Sequence, residues 1–276
     1  MKPLSKGIPE WLITLRRLPI LRAVKFLVPT SFRQACWNLV SRQDEFWVMG
    51  SRMFIPPEAR QRDLILNCYE PGVSACLRRL LQPGMVFCDV GANLGVFTLM
   101  AARQVGPQGR VFSFEPVPDN FAILRRNVEA NHYANVVCIP KAAAQHNGKS
   151  RLFLSRSCGS HSLVGGPTEY RGEFLEVETV RLDSVPGLDR IDVLKIDAEG
   201  AELEVLEGLG NLRPQVVLEY NAERISRRGL DASAFLQRLQ ALGYAATNID
   251  CPDADLESLA NDKEITVNLL ALPTAR

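Results

Sequence analysis

The chain has 276 residues, 46% of them hydrophobic and 23% charged, which is enough for one large domain, or for one domain of about 200 residues with an appendage. This ordinary apolar fraction, without charge blocks or low-complexity tracts, excludes disordered, collagen-like and coiled-coil proteins. The 32 basic and 31 acidic side chains give a formal charge of +1, which argues against a nucleic-acid partner, because dedicated nucleic-acid-binding proteins carry a basic excess.

The cysteines and the apolar runs indicate a cytoplasmic protein. The seven cysteines include no CxxC pair, so neither a zinc site nor a disulfide framework is supported. This cysteine usage fits a reducing compartment. No run of about 18 apolar residues occurs, and Arg16 and Arg17 interrupt the region where the core of a signal peptide would lie.

The predicted elements begin with a basic N-terminal segment. Apolar residues over positions 1–50 recur with the spacing of an amphipathic helix that Pro19 interrupts. We predict a helical extension or cap over residues 1–68 and one domain over residues 69–276. Three roles stay open for the basic segment: a cap over a substrate pocket, a homodimer contact, or a peripheral helix on an anionic membrane surface.

Residues 69–276 alternate between predicted helices and strands, which indicates a parallel sheet covered on both faces. Strands are predicted at 86–90, 110–114, 136–139, 191–196 and 215–220, and helices at 71–81, 94–105, 119–131, 201–209 and 232–242. Strands at 151–154 and 174–182 form an inserted hairpin around a Ser/Gly-rich loop, and 244–249 with 265–271 form a closing antiparallel pair.

The first segment that carries chemistry follows strand 86–90, which ends in Asp89 before a glycine turn and a helix. Glycine lets the backbone approach a ligand, and open α/β sheets bind ligands above the carboxyl ends of their strands. Only Gly91 and Gly95 are present, in place of the GxGxxG of dinucleotide-binding turns, and Asp89 would repel a pyrophosphate. The pattern favours a nucleoside that carries a cationic amino-acid group.

A further acid follows the next predicted strand along the chain. Glu115 comes after strand 110–114, close to the offset of about 20 residues at which an acid binds ribose hydroxyls in nucleotide-binding folds. Pro116 and Asn120 are candidates for the wall of an adenine site.

A third charged segment follows strand 191–196, where Lys195 and Asp197 share a side-chain direction. Glu199 and Glu202 belong either to the same charged cluster or, alternatively, to the first turn of the following helix, where acids interact favourably with the helix dipole.

These segments resemble the FkbM family of S-adenosylmethionine-dependent methyltransferases. The likeness extends from about Tyr69 to Tyr220 and is carried by the strings DVGANLG, FEPVPDNF and LKIDAEGAELEVLEG. It implies a Rossmann-like class I methyltransferase sheet, mostly parallel with an antiparallel last strand and with helices on both faces. It also implies O-methylation of a hydroxyl on a small molecule, a natural product or a glycan.

The resemblance assigns roles to individual residues. The methionine part of the cofactor S-adenosylmethionine would be held by Asp89, Gly91, Ala92, Asn93 and Gly95. Glu115 would bind the ribose, and Asn120 and Ala142 would border the adenine. Lys195, Asp197 and Glu199 would face the methyl group and the acceptor, with Asp197 also part of the cofactor site.

Methyl transfer to oxygen is an in-line displacement, in which alignment supplies roughly 7–11 kcal/mol and a positioned base about 10²–10⁴-fold. We expect Asp197 or Glu199 to accept the hydroxyl proton and Lys195 to orient that carboxylate or the substrate. His161, in the Ser/Gly-rich loop, is a rival base. A metal-assisted version would need Asp197, Glu199 and Glu219 to converge, but no metal-binding spacing supports it, so no metal is expected.

Two other functions stay open at this point. A nicotinamide-dependent oxidoreductase is disfavoured by the missing GxGxxG. A non-catalytic nucleoside-binding module is disfavoured by the intact charged segment around Asp197.

Overall fold

The structure is a computed structural model that describes residues 44–65, 67–155, 170–262 and 264–274. The chain divides after Tyr69 into two compact units. Within the described residues, no helix combines the length and the apolar composition that crossing a bilayer requires.

The described part of the first unit contains a small β-hairpin and a helical turn. β1 spans Glu45–Val48, β2 spans Ser51–Phe54 and α1 spans Arg62–Ile65. Buried Phe46 and Val48 alternate with exposed neighbours, and the connecting residues Met49 and Gly50 have positive φ angles of 50° and 86°. The helical extension predicted over residues 1–68 is therefore wrong where the hairpin lies. Strands of four residues are too short for their alternating pattern to be recognised in the sequence. Its remainder before residue 44 lies outside the described residues.

The second unit contains two sheets and the helices that accompany them. In chain order its strands are β3 (Val86–Val90), β4 (Arg110–Phe114), β5 (Val136–Ile139), β6 (Ala142–Ala143), β7 (Gly148–Ser155), β8 (Tyr170–Val180), β9 (Val193–Ile196), β10 (Gln215–Asn221), β11 (Tyr244–Asn248) and β12 (Thr266–Pro273). Its α-helices are α2 (Pro71–Leu80), α3 (Val96–Val105), α4 (Pro118–Ala130), α5 (Glu202–Glu207), α6 (Ala222–Arg227) and α7 (Ala232–Ala241).

The main sheet has the strand order β11-β12-β10-β9-β3-β4-β5. Neighbouring strands are parallel except around β12, which runs antiparallel to both β10 and β11. The order reverses at β3, and open α/β sheets bind ligands at such a point, beyond the carboxyl ends of the strands. The predicted Rossmann-like methyltransferase sheet, mostly parallel with an antiparallel last strand, is confirmed.

Helices cover both faces of the main sheet. On one face, Cys88 packs in a continuous apolar cluster with Leu206 of α5 and Phe235 of α7. Successive strand residues alternate between the faces, so the other set of side chains turns toward α3. There the Lys195 ammonium lies 5.1 Å from the centre of the Phe97 ring.

The second sheet is inserted between β5 and β9 and has the order β6-β8-β7. β7 and β8 are antiparallel, and β6 adds a short parallel strand. The inserted hairpin is confirmed, with strands longer than predicted. Its connecting segment, which carries His161, lies outside the described residues.

Candidate active site

The turn after β3 brings its backbone against the loop that follows β9. Gly91 and Gly95 have φ angles of +75° and +94°, and Asn93 has +51°. A β-carbon on Gly91 would lie 2.0 Å from the carbonyl oxygen of Asp197, so only glycine allows this close approach. The amides of Gly91 and Ala92 donate to the carbonyl oxygen of Phe114 at 3.1 and 3.0 Å, which fixes the turn beside the end of β4.

Asp89 is buried at the end of β3, with 1% of its surface exposed. The Thr98 hydroxyl of α3 donates to its Oδ2 at 2.6 Å, whereas Oδ1 has no hydrogen-bond partner within the described part of the chain. Burial raises the pKa of Asp89, while the charge of Lys195 and the Thr98 hydroxyl act in the opposite direction. Lys195 is the in-register partner of Asp89 on β9, so both side chains lie on the α3 face.

Glu115 follows β4 and is also buried. Its Oε2 accepts a hydrogen bond from the Asn93 amide at 2.8 Å, and its Oε1 accepts one from the Val117 amide at 2.9 Å. Burial raises its pKa from the ordinary value of 4.5 to about 7, although these amides and the Asn120 side chain favour the charged form. The acid thus joins the two turns that follow β3 and β4.

The predicted adenine-side residues lie around this acid. Pro116 is half-buried in the same turn, and Asn120 is in the first turn of α4. Ala142 packs in a small apolar cluster with Val117, whose amide binds Glu115. The structure therefore brings the predicted cofactor residues to one edge of the sheet, and their roles stay predictions.

Three carboxyl groups converge next to this turn. Carboxylate oxygens of Asp197, Glu199 and Glu219 all lie within 4.8 Å of one another. Lys195 Nζ binds Asp197 Oδ2 at 3.1 Å, and the Arg224 guanidinium pairs with Glu199 and, at 2.8 Å, with Glu219. The carboxylates thus meet as the metal-assisted alternative requires, but two protein cations already bind them.

The environment shifts the proton affinities of Glu199 and Glu219. Burial and the charge of Asp197 raise the pKa values of Glu199 and Glu219, while Arg224 lowers both. Glu199 also adopts a left-handed conformation with φ of +54°, an uncommon choice for a residue other than glycine that often marks a functional site. Glu199 and Glu219 therefore hold their protons more tightly than exposed glutamates do.

Glu202 shapes the loop that carries the cluster. As the first residue of α5, it accepts hydrogen bonds from the amides of Ala198 and Gly200 at 3.2 and 3.0 Å. This agrees with its predicted alternative as an acid at a helix start, whereas Glu199 precedes the helix. Burial raises the pKa of Glu202 to about 7.

The sequence predictions missed two participants, Thr98 and Arg224. Arg224 belongs to the short helix α6, which was not predicted. The sequence feature that could have indicated this helix is Asn221, a residue type that favours helix N-caps. Its side chain caps α6 by accepting a hydrogen bond from the Arg224 amide at 3.0 Å. Thr98 lies in an apolar helix, where a threonine gives no signal of a polar contact.

Comparison with known proteins finds a matching family model and several similar methyltransferases, among them the following three. A family model described as a methyltransferase FkbM domain matches residues 89–246. "Methyltransferase 1" of Beauveria bassiana is 26% identical over 186 residues, which cover 60% of this chain and 74% of that protein. The 31-O-demethyl-FK506 methyltransferase FkbM of Streptomyces tacrolimicus is 34% identical over 162 residues, covering 47% of this chain and 61% of that protein. The hexuronic acid methyltransferase AglP of Haloferax volcanii is 30% identical over 136 residues, covering 46% of this chain and 50% of that protein.

Proposed function

Because the chain belongs to the FkbM methyltransferase family, we propose that it transfers the methyl group of S-adenosylmethionine to a hydroxyl of a small molecule, a natural product or a sugar. The observation that carries this proposal is the meeting of two sets of acids at one sheet edge. Asp89 and Glu115 end neighbouring strands, and the carboxyl cluster around Asp197 lies beside them. Family membership favours this reaction over the nicotinamide-dependent oxidation that the sequence left open.

The acids at the glycine turn fit the proposed cofactor. A buried carboxylate oxygen without a donor is costly, and an ammonium group at Asp89 Oδ1 would satisfy it. Glu115 would bind the ribose hydroxyls, because a carboxylate has about four acceptor sites and two are used by backbone amides. When bound, S-adenosylmethionine supplies an electrophilic methyl group.

We propose Asp197 as the group that accepts the hydroxyl proton. Its side chain is 30% exposed, and one oxygen is held by Lys195, so the carboxylate is both oriented and reachable. Glu199 is 10% exposed and paired with Arg224. Its raised pKa favours a protonated carboxyl at neutral pH, which suits a hydrogen-bond donor better than a base. A module that only binds nucleosides would not need an oriented carboxylate here.

The charges support a hydroxyl acceptor over a carboxylate acceptor. Both cations of the cluster already pair with acidic side chains, so an anionic acceptor would have to compete with those side chains for them. A neutral hydroxyl must lose a proton, and the cluster contains a group to take it. The relatives named for 31-O-demethyl-FK506 and hexuronic acid support natural products and sugars as acceptor classes.

The proposal is tested with methyl-labelled S-adenosylmethionine and a metabolite extract, followed by mass spectrometry. We expect a labelled product that is one CH₂ heavier than its precursor and that survives mild alkali, as a methyl ether does. Release of labelled methanol by alkali would indicate a methyl ester and contradict the hydroxyl acceptor. Calorimetry without heat on adding S-adenosylhomocysteine would contradict the cofactor.

The base is tested by Asp197→Asn, with Glu199→Gln in parallel. We expect Asp197→Asn to lower turnover by about 10²–10⁴-fold with little change in cofactor affinity, and Glu199→Gln to lower it less. Glu223→Gln is the control, because it makes the same kind of change in a more exposed pair with Arg227. Undiminished turnover in the first two variants would remove the assignment.

A further inference from the structure

We propose that Thr98 is a positioning residue that fixes the Asp89 carboxylate for the amino-acid part of the cofactor, with Ser113 supporting it from β4. The inference rests on the proposed function, in which Asp89 holds that part. It adds a role for two hydroxyls that do not touch the ligand themselves.

The two hydroxyls and the carboxylate form a buried row on the α3 face. Thr98 and Ser113 are both fully buried, and Asp89 is 1% exposed. The Thr98 Oγ1 lies 2.6 Å from Asp89 Oδ2 and 2.8 Å from Ser113 Oγ. Ser113 is the in-register partner of Asp89 on the neighbouring strand, so all three groups are held by regular elements.

The number of hydroxyl protons decides which group donates each hydrogen bond in this row. A hydroxyl has one proton to donate, and Thr98 uses it on the carboxylate, so the bond between the hydroxyls requires Ser113 to donate to Thr98. Each bond strengthens the next, because a donor that also accepts is polarised. The row ends on Oδ2 and leaves Oδ1 of the same carboxylate as the oxygen without a partner within the described residues.

A purely structural role is the competing explanation. Thr98 lies in the first turn of α3, so its bond to Asp89 also ties β3 to the start of this helix. Two ligands separate the explanations. S-adenosylhomocysteine carries the amino-acid part, whereas 5′-methylthioadenosine carries the same nucleoside without it. A tie between strand and helix affects both ligands alike, but a positioned Asp89 affects only the first.

The experiment compares the two ligands by calorimetry on the full chain and on Thr98→Val, which keeps the shape and removes the hydroxyl. We expect Thr98→Val to weaken S-adenosylhomocysteine about tenfold and to leave 5′-methylthioadenosine within about twofold. Thr98→Ser restores the donor and should restore the affinity. Ser113→Ala should give a smaller loss, again confined to S-adenosylhomocysteine.

Equal weakening of both ligands, or no weakening of either, overturns the proposal. If Thr98→Val fails to fold, Ser113→Ala decides by the same criterion. Failure of the unmodified chain to bind S-adenosylhomocysteine would contradict the proposed function itself. That outcome is distinct from the effects of the variants on the two ligands, which test only the role of Thr98.

Discussion

Glu115 gives the sharpest test, because its burial makes both stability and binding depend on pH. Its folded pKa of about 7 lies above the ordinary value of 4.5, so the folded protein binds the proton more tightly than the unfolded chain does. The associated stability is fully present below about pH 4.5 and is lost as the pH rises through about 7. The shift amounts to about 3 kcal/mol, of which roughly 2–3 kcal/mol is lost between pH 5 and pH 8.

If Glu115 binds the ribose as proposed, the same proton competes with it. Hydroxyl groups donate to the ionised carboxylate, so binding requires Glu115 to lose its proton. With a pKa of about 7 in the free protein, the affinity for 5′-methylthioadenosine should be about tenfold lower at pH 6 than at pH 8. This ligand lacks the amino-acid part, so Asp89 does not contribute to the difference.

Glu115→Gln is the perturbation, and Glu202→Gln is its matched control. Both acids are buried, both have pKa values of about 7, and both accept two backbone hydrogen bonds. Either variant should reduce the fall in unfolding free energy between pH 5 and pH 8, measured by urea denaturation. Only Glu115→Gln should weaken 5′-methylthioadenosine and make its affinity independent of pH. A flat affinity in the unmodified chain, or loss of the pH dependence in Glu202→Gln, would refute the reasoning.

Two further predictions concern the turn and the cluster. Gly91→Ala should lower the unfolding free energy by about 2–5 kcal/mol, because the new β-carbon would clash with the Asp197 carbonyl oxygen. Gly84→Ala is the control, since Gly84 has a similar φ with open space around it, and it should cost about 1 kcal/mol. Equal losses of unfolding free energy in urea denaturation would contradict the close approach at Gly91. Arg224→Met removes the cation that holds Glu199 and Glu219 and should cost about 2–4 kcal/mol at pH 8. The loss should shrink at pH 5.5 because Glu219, whose pKa is about 7, is then protonated, and an equal loss at both pH values would assign it to packing.

The sequence predicted the sheet well because of how its strands are buried. Parallel strands covered on both faces appear as continuous apolar runs between turn residues, and Val86–Val90, Arg110–Phe114 and Val136–Ile139 have the predicted bounds. The acids that end β3 and β4 were found for the same reason, since a charge at the end of an apolar run stands out.

Contacts that depend on register or on a short helix were not predictable in this way. Thr98 reaches Asp89 only because α3 folds back over β3, which a local pattern does not show. α6 has six residues, which are too few for a helical periodicity to be recognised in the sequence. Arg224 was therefore not predicted as a site residue, although it pairs with two carboxyls that were considered, Glu199 and Glu219. Glu219 was considered only as a metal ligand because its ion pair was unknown.

The buried acids at this edge differ in how the fold compensates them. Glu202 binds two amides of its own loop, Glu115 binds two amides of neighbouring turns, and Glu199 pairs with Arg224. Within the described residues, Asp89 accepts a hydrogen bond on Oδ2 but not on Oδ1, and its other compensation is the charge of Lys195. Burying a charged group without full compensation costs stability, and stability alone would favour a neutral side chain there. An ammonium group bound at the second oxygen would offset this cost, which makes Asp89 an argument for the cationic ligand proposed at this turn.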